Sequence, residues 1–213
     1  YSMAFTLQIR QKKLFGKTIL DIPSLAKACG LCYGSNNDFY ILQENEQTNG
    51  TAVFYNPEHI GRGIFFDGSR SREGYYEISY NIPTTKSEIT DFARFAGEIE
   101  SRLGRAEMYC VEEERAFTGR ELEQGIEDFA AFSRKSLNQF CQNKEFRSHI
   151  LTLARWPYTL TEDKTAAWGT CMDLFDFERT LHGLQARDVY YAKPSLLQKN
   201  DTKEIGAFYA LTE

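Results

Sequence analysis

The most suggestive chemical pattern in the sequence is Cys29-Gly30-Leu31-Cys32, a spacing shared by redox dithiols and by half of a zinc site. A redox pair needs its first cysteine at the N-terminus of a helix, where the dipole lowers the thiol pKa. Here the pair falls at the end of a helix predicted over 22–31. No second close ligand pair is offered by the three histidines or by the other cysteines, Cys110, Cys141 and Cys171. The spacing therefore favours incidental thiols, with zinc and redox chemistry as alternatives, and we predict no metal and no cofactor.

A second group of chemically competent residues lies on a helix predicted over 164–184. Its face would carry Cys171, Phe175, Glu178 and His182. Eleven residues of helix rise by about 16 Å, so a catalytic Cys171–His182 pair is excluded. Glu178 and His182 are four residues apart and can meet, as surface ion pairs do. A metal there would need a third ligand from elsewhere in the chain.

The segment 67–74 is a polar loop with two arginines, followed by two tyrosines. Arginine presents a planar fork of donors that suits phosphate and carboxylate. The sequence therefore predicts a ligand site made of Arg70, Arg72, Tyr75 and Tyr76, against the simpler interpretation of a solvated hairpin tip. An enzyme acting on a small anionic substrate would use Arg70 and Arg72 as its clamp and His59 as acid or base. Neither His59 nor His149 is flanked by a nucleophile pattern, and we assign no catalytic residue.

Charge is distributed unevenly along the chain. The whole sequence has a net charge of −5, whereas the segment 88–128 alone holds twelve acids and five bases, a net charge of −7. We interpret this excess as acidic outer faces of two helices, which either solubilise the protein or bind a basic protein partner. A basic cluster near the N-terminus, Arg10, Lys12, Lys13 and Lys17, offers a nucleic-acid alternative together with Arg70 and Arg72. The overall acidity makes a nucleic-acid partner the weaker hypothesis.

Composition limits the class of protein. The 213 residues are 42% hydrophobic, 26% charged and 14% aromatic, which excludes disordered, collagen-like and coiled-coil architectures. No stretch approaches the roughly 18 apolar residues of a membrane helix, so we predict no membrane span. The five scattered cysteines are typical of free thiols in a reducing cytoplasm. Tyr1 and Ser2, ahead of Met3, are interpreted as residues left by cloning, and no signal for an oligomeric state is present.

These residues must be positioned by an α+β fold. Alternating patterns predict a strand over 4–10, then an antiparallel meander over 39–42, 51–55, 63–66 and 75–80. Two capping-box spacings, Thr85 to Glu88 and Thr118 to Glu121, predict helices that end near Gly104 and near residue 140. Further strands are predicted over 106–111, 150–154, 188–192 and 205–211. We expect one unit over 3–213, or two tightly packed subdomains over 3–104 and 105–213, because no flexible linker separates them.

Two runs resemble a known group of sequences. Gly63-Ile-Phe-Phe-Asp-Gly68 and Tyr76-Glu-Ile-Ser-Tyr-Asn-Ile-Pro83 are similar to uncharacterised domain families of Gram-positive bacteria. The resemblance covers about a fifth of the chain and involves sheet and turn residues. It implies a bacterial cytoplasmic protein and transfers no catalytic residue. Without a recognisable catalytic constellation, the leading hypothesis is a non-catalytic binding or protein-interaction module.

Overall fold

The computed structural model describes residues 3–13, 16–38, 40–142, 148–161, 163, 168 and 173–186, and the backbone of 194–198 and 205–209. Its strands are β1 (Met3–Gln11), β2 (Cys32–Asn36), β3 (Leu42–Glu44), β4 (Thr51–Tyr55), β5 (Ile64–Asp67), β6 (Tyr75–Ile82), β7 (Ala106–Cys110), β8 (Arg115–Phe117), β9 (Ser148–Thr152), β10 (Pro157–Thr161), β11 (Pro194–Gln198) and β12 (Ile205–Tyr209). Its helices are α1 (Ile22–Cys29), α2 (Lys86–Leu103), α3 (Gly119–Gln124), α4 (Ile126–Gln142) and α5 (Leu174–Gln185), with one 3-10 turn (Ser71–Glu73).

The first eight strands form one sheet, in the order β3-β2-β4-β5-β6-β1-β7-β8, with every neighbouring pair antiparallel. β9 pairs with β10, and β11 with β12, as separate hairpins. Strand β1 lies inside the sheet, between β6 and β7, so the first strand of the chain is central to the fold. The α+β class predicted from the sequence is confirmed.

One face of the sheet is covered by helices. Alternate residues of β6, including Tyr76, Ile78 and Tyr80, are buried on this face. They meet the apolar side of α2, where Phe92 and Phe95 are almost fully buried. Phe117, Leu122 and Ala130 belong to the same apolar cluster, which therefore contains residues from both sides of Gly104. The division into one unit or two subdomains stays a prediction.

A second, smaller core joins the later elements. Leu137 of α4 packs with Leu151 and Leu160 of the β9–β10 hairpin and with Phe177 and Leu181 of α5. This core places α5 close to the loop between β4 and β5. That loop makes many of the polar contacts between the sheet and the helices. None of the described helices is long and apolar enough to cross a membrane.

The helix ends follow local chemistry. Thr85 caps α2 by accepting a hydrogen bond from the Glu88 N–H, and Thr118 and Glu121 form a reciprocal capping box at α3. The helix predicted to run from this box to residue 140 is instead divided, at Gly125, into α3 and α4. The helix predicted over 164–184 is not continuous, because Asp173 has extended backbone and caps α5 through the Asp176 N–H, and most of 164–172 lies outside the described residues.

Several strands also differ from the sequence pattern. The strand predicted over 39–42 begins only at Leu42, because Tyr40 has a φ of 59° within the turn after β2, and Phe39 lies outside the described residues. Strands β2, β8, β10 and β11 were not predicted. The predicted strand over 188–192 and the last two residues of 205–211 lie outside the described residues.

Candidate binding surfaces

The loop between β4 and β5, residues 56–63, is here called the His59 loop. Its backbone is held by α2, because the Gly63 N–H donates to Glu88 Oε2 over 2.6 Å. Glu88 is buried and also accepts a hydrogen bond from the Thr84 hydroxyl. Burial raises the pKa of the Glu88 carboxyl, while these hydrogen bonds act in the opposite direction. Gly61 leaves the room for this contact, since a Cβ there would lie 2.5 Å from Glu88 Oε2.

Arg62, in the same loop, is a buried cation. Its Nε donates to the Thr152 carbonyl over 3.1 Å and its Nη1 to the Pro83 carbonyl over 3.1 Å. Burial lowers its pKa to about 10, and the nearby Glu88 carboxylate opposes that shift. Arg62 therefore ties the loop to the hairpin β9–β10 and to the end of β6.

Helix α5 holds the other side of the His59 loop. His59 Nδ1 lies 3.1 Å from Glu178 Oε1, and the Ile60 N–H donates to His182 Nδ1 over 3.1 Å. Gln185 is fully buried and donates to the Gly61 carbonyl over 2.8 Å. Asp91 of α2 accepts from the Asn56 side chain, and burial raises the pKa of this carboxyl. The imidazoles of His59 and His182 are thus each engaged in holding the loop.

Cys171, the first residue of the helix face predicted over 164–184, lies outside the described residues, as does the side chain of His149. Glu178 and His182 do share one face of α5, but each contacts the His59 loop. Within the residues that the structure describes, no group of three or more His, Cys, Asp or Glu side chains is placed to hold a metal ion.

The predicted ligand site at Arg70, Arg72, Tyr75 and Tyr76 is divided by the sheet. Tyr76 is buried on the helix-covered face, where its hydroxyl donates to the Thr18 carbonyl over 2.7 Å. Tyr75 lies on the opposite face, with the Arg70 guanidinium 4.7 Å from its ring centroid. Arg70 also donates to Glu73 over 2.7 Å, and Arg72 is exposed. Arg70 and Tyr75 are therefore brought together while Tyr76 is not, and anion binding by this loop stays a prediction.

The Cys29 and Cys32 thiols lie in different apolar clusters of the fold. Cys29 is buried in the core beneath the helices, whereas Cys32 packs against a small cluster around Leu42, Val53 and Tyr55. Burial raises the pKa of the Cys29 thiol, the opposite of what an activated thiol requires. All four described cysteines are free thiols.

The N-terminal lysines contact the chain itself. Lys12 pairs with Glu107, Lys13 donates to the Thr18 hydroxyl, and Lys17 donates to the carbonyls of Gln11 and Lys13. Arg10 is in electrostatic contact with Glu107, so all four residues of the basic cluster predicted from the sequence interact with the chain itself.

A groove of about 410 Å³ opens between the start of β1, the end of β6 and α4. We call it the apolar groove. It is lined by Phe5 and Tyr80, whose rings stack 5.4 Å apart, and by Phe129, whose ring meets Phe5 edge-on at 5.1 Å. Met3 and Phe132 are 44% and 48% exposed and, together with these rings, form one exposed apolar patch.

Carboxylates lie along the edge of the apolar groove. Glu112, Glu113 and Asp128 are all exposed lining residues. Glu113 pairs with Arg115, and Glu112 accepts a hydrogen bond from the Thr6 N–H over 2.8 Å. Among the described residues, Asp128 has no ion pair with a base. An apolar floor with a net negative edge suits an apolar anchor flanked by positive charge.

A second hollow, of about 370 Å³, lies on the sheet over β2, β4, β5 and β6. We call it the polar cavity. Its lining includes Asn36, Thr51, Phe65, Asp67, Glu77 and Ser79. Sequence reasoning did not find either hollow, because each is assembled from strands or helices far apart in the chain.

The profile of one family matches residues 2–213, almost the entire chain. The chain belongs to the family described as "Domain of unknown function (DUF4299)". This membership agrees with the resemblance to uncharacterised domain families. No curated protein and no solved structure matches the DUF4299 chain.

Proposed function

We propose that this DUF4299 chain is a non-catalytic protein-interaction module. The apolar groove binds a segment of a protein partner in which an apolar side chain is flanked by lysine or arginine. The observation that carries the proposal is the exposure of Met3 and Phe132 beside unpaired acidic charge at the same hollow.

The apolar part supports an anchor. Phe5, Tyr80 and Phe129 form a continuous aromatic wall, and 410 Å³ is enough for one large side chain. Interface energy is concentrated in such pockets, where a few apolar or aromatic anchors are fully desolvated. Contiguous exposed apolar surface is typical of interaction sites.

The acidic edge of the apolar groove determines which partner segments can bind. Asp128, Glu112 and the Glu113–Arg115 pair give the edge a net negative charge. Opposite charge on the partner raises the association rate and excludes acidic segments. The same edge repels nucleic acid, so a protein segment is the favoured occupant.

The expectations about the cellular compartment and about an enzymatic alternative are part of this proposal. The four free cysteines of the described residues support a reducing compartment, hence a cytoplasmic location, and the bacterial origin rests on the resemblance alone. The enzyme hypothesis, with Arg70, Arg72 and His59, stays an alternative. The contacts of His59 with Glu178 and of Arg70 with Glu73 do not favour it.

The test is a selection of displayed random peptides on the immobilised full chain. Enriched peptides should share an aromatic or large aliphatic residue within four positions of two or more Lys or Arg residues. Peptides that are enriched on wild type should be lost on Phe132→Glu and kept on Phe175→Glu. Phe175 is a matched control, because it is 70% exposed on α5 and does not line the groove. Enrichment of acidic peptides, or of none, would overturn the proposal.

A further inference from the structure

The polar cavity is a separate hollow from the apolar groove, and its lining is rich in hydrogen-bond acceptors. Thr51 pairs with Asp67, and Asp67 with Glu77, across β4, β5 and β6. Directly paired residues of antiparallel strands point to the same face, so these three side chains form one polar row. In the neighbouring row, Phe65 lies between Val53 and Ser79.

The pairing of Asp67 with Glu77 is unfavourable in isolation. Like charges placed directly opposite each other on adjacent strands destabilise a sheet. No basic side chain forms an ion pair with either carboxylate in the described part of the chain. Arg70 is in electrostatic contact with Asp67 but donates its hydrogen bonds to Glu73. Asp67 Oδ1 accepts a hydrogen bond from the Ser69 N–H over 2.8 Å. The Glu77 carboxylate accepts a long hydrogen bond, 3.3 Å, from the Tyr75 hydroxyl.

A second, independent observation concerns Asn36. Its Oδ1 is buried and has no hydrogen-bond partner among the described residues, and the residue lines the same cavity. An unsatisfied buried acceptor is destabilising, so buried acceptors are nearly always paired in folded proteins. The Thr51 hydroxyl donates to the Thr48 carbonyl over 2.6 Å, which leaves the Thr51 oxygen as another acceptor. Asn36 and Thr51 thus place two oxygens with remaining acceptor capacity at the lining of this cavity.

We propose that the polar cavity binds a small organic cation, an alkyl compound with an ammonium or guanidinium group. The cationic group donates hydrogen bonds to Asp67, Glu77 and Asn36, and its charge relieves the repulsion between the two carboxylates. The Phe65 ring and the Val53 side chain contact the alkyl part, and the ring face favours a cation. The volume of about 370 Å³ falls within the range of small-ligand pockets.

The experiment is a calorimetric titration of the full chain with agmatine and n-butylamine, with succinate and 1-butanol as anionic and neutral controls. At least one cation should bind with one-to-one stoichiometry, and neither control should bind. Glu77→Gln and Asp67→Asn should each weaken cation binding roughly tenfold, because each removes a charge-assisted hydrogen bond. Asn36→Ala should weaken it by a smaller factor.

Two further variants complete the test. Glu123→Gln removes the same charge from an exposed position on α3 and should leave cation affinity unchanged. Phe132→Glu, which blocks the apolar groove, should also leave it unchanged, so this inference can fail independently of the proposed function. The inference is overturned if neither cation binds, if succinate binds instead, or if Glu77→Gln and Asp67→Asn bind the cation as wild type does.

Discussion

The His59 loop and the apolar groove both lie where helices meet the sheet. They differ in which side chains are buried and which are exposed. At the loop, the buried side chains of Arg62, of Glu88 on α2 and of Gln185 on α5 each hydrogen-bond to the chain itself. In the groove, Phe132 and Met3 are exposed and Asp128 has no described ion pair. The comparison indicates that the loop stabilises the fold, whereas the groove is built to contact another molecule.

The largest expected loss of stability comes from a substitution that removes the hydrogen bonds of the His59 loop to α2. Glu88→Ala should lower the free energy of unfolding by about 3 kcal/mol, because it leaves the Gly63 N–H and Thr84 hydroxyl unpaired beside buried Arg62. Urea denaturation measures this loss. The control Glu123→Ala, at an exposed position, should stay within about 0.5 kcal/mol of wild type. Equal stability of the two variants would remove the structural role assigned to the loop.

The pH dependence of stability tests the contribution of buried Glu88 in a second way. Burial raises the Glu88 pKa in the folded protein above its ordinary value of 4.5, so folding favours the protonated form. This contribution to stability is fully present below pH 4.5 and is lost as the pH rises through the folded pKa. Wild type should therefore lose stability relative to Glu88→Gln as the pH rises above 4.5 and through the raised pKa of Glu88, as followed by urea unfolding at each pH. A constant difference across that range would contradict the assignment.

The two imidazoles should differ in their contributions. His182→Ala should cost about 1–2 kcal/mol, because the Ile60 N–H loses its acceptor. His59→Ala should cost at most about 1 kcal/mol, since the His59 side chain is 49% exposed and its pair with Glu178 is screened by solvent. Thermal or urea unfolding of the two variants measures the order. The reverse order would show that the pair with Glu178 is the stronger attachment of α5.

The smallest expected effect on stability is in the groove. Phe132→Glu should change the free energy of unfolding by less than about 1 kcal/mol, because Phe132 is 48% exposed. Phe175→Glu should behave alike. A large loss for Phe132→Glu alone would assign the groove to the core of the fold and would remove the distinction between the two regions.

Local signals account for the part of the fold that the sequence predicted. Thr85 and Thr118 cap their helices at the predicted positions, because a side-chain hydroxyl and the N–H three residues later are close in any such turn. Strand β2 carries no local signal in Cys-Tyr-Gly-Ser-Asn and is defined by its pairing with β3 and β4. The division of α3 from α4 likewise depends on packing around Gly125, whose added Cβ would meet Phe129.

The candidate sites were less predictable, because they depend on contacts between distant residues. His59 meets Glu178 only because the second core places α5 against the loop. The groove joins Met3 with Phe132, which no local pattern brings together. The acidic excess of 88–128 predicted acidic outer faces of two helices, whereas two of the three carboxylates at the groove, Glu112 and Glu113, lie between β7 and β8 and only Asp128 lies on a helix.

The most direct test of the central claim is the affinity of one selected peptide, with an apolar anchor and flanking lysines, for three proteins. Wild type and Phe175→Glu should bind it equally by calorimetry, whereas Phe132→Glu should bind at least about tenfold more weakly, because its anchor pocket carries a charge. Equal affinity of all three proteins would show that the peptide binds elsewhere and would contradict the assignment of the groove as the interaction site.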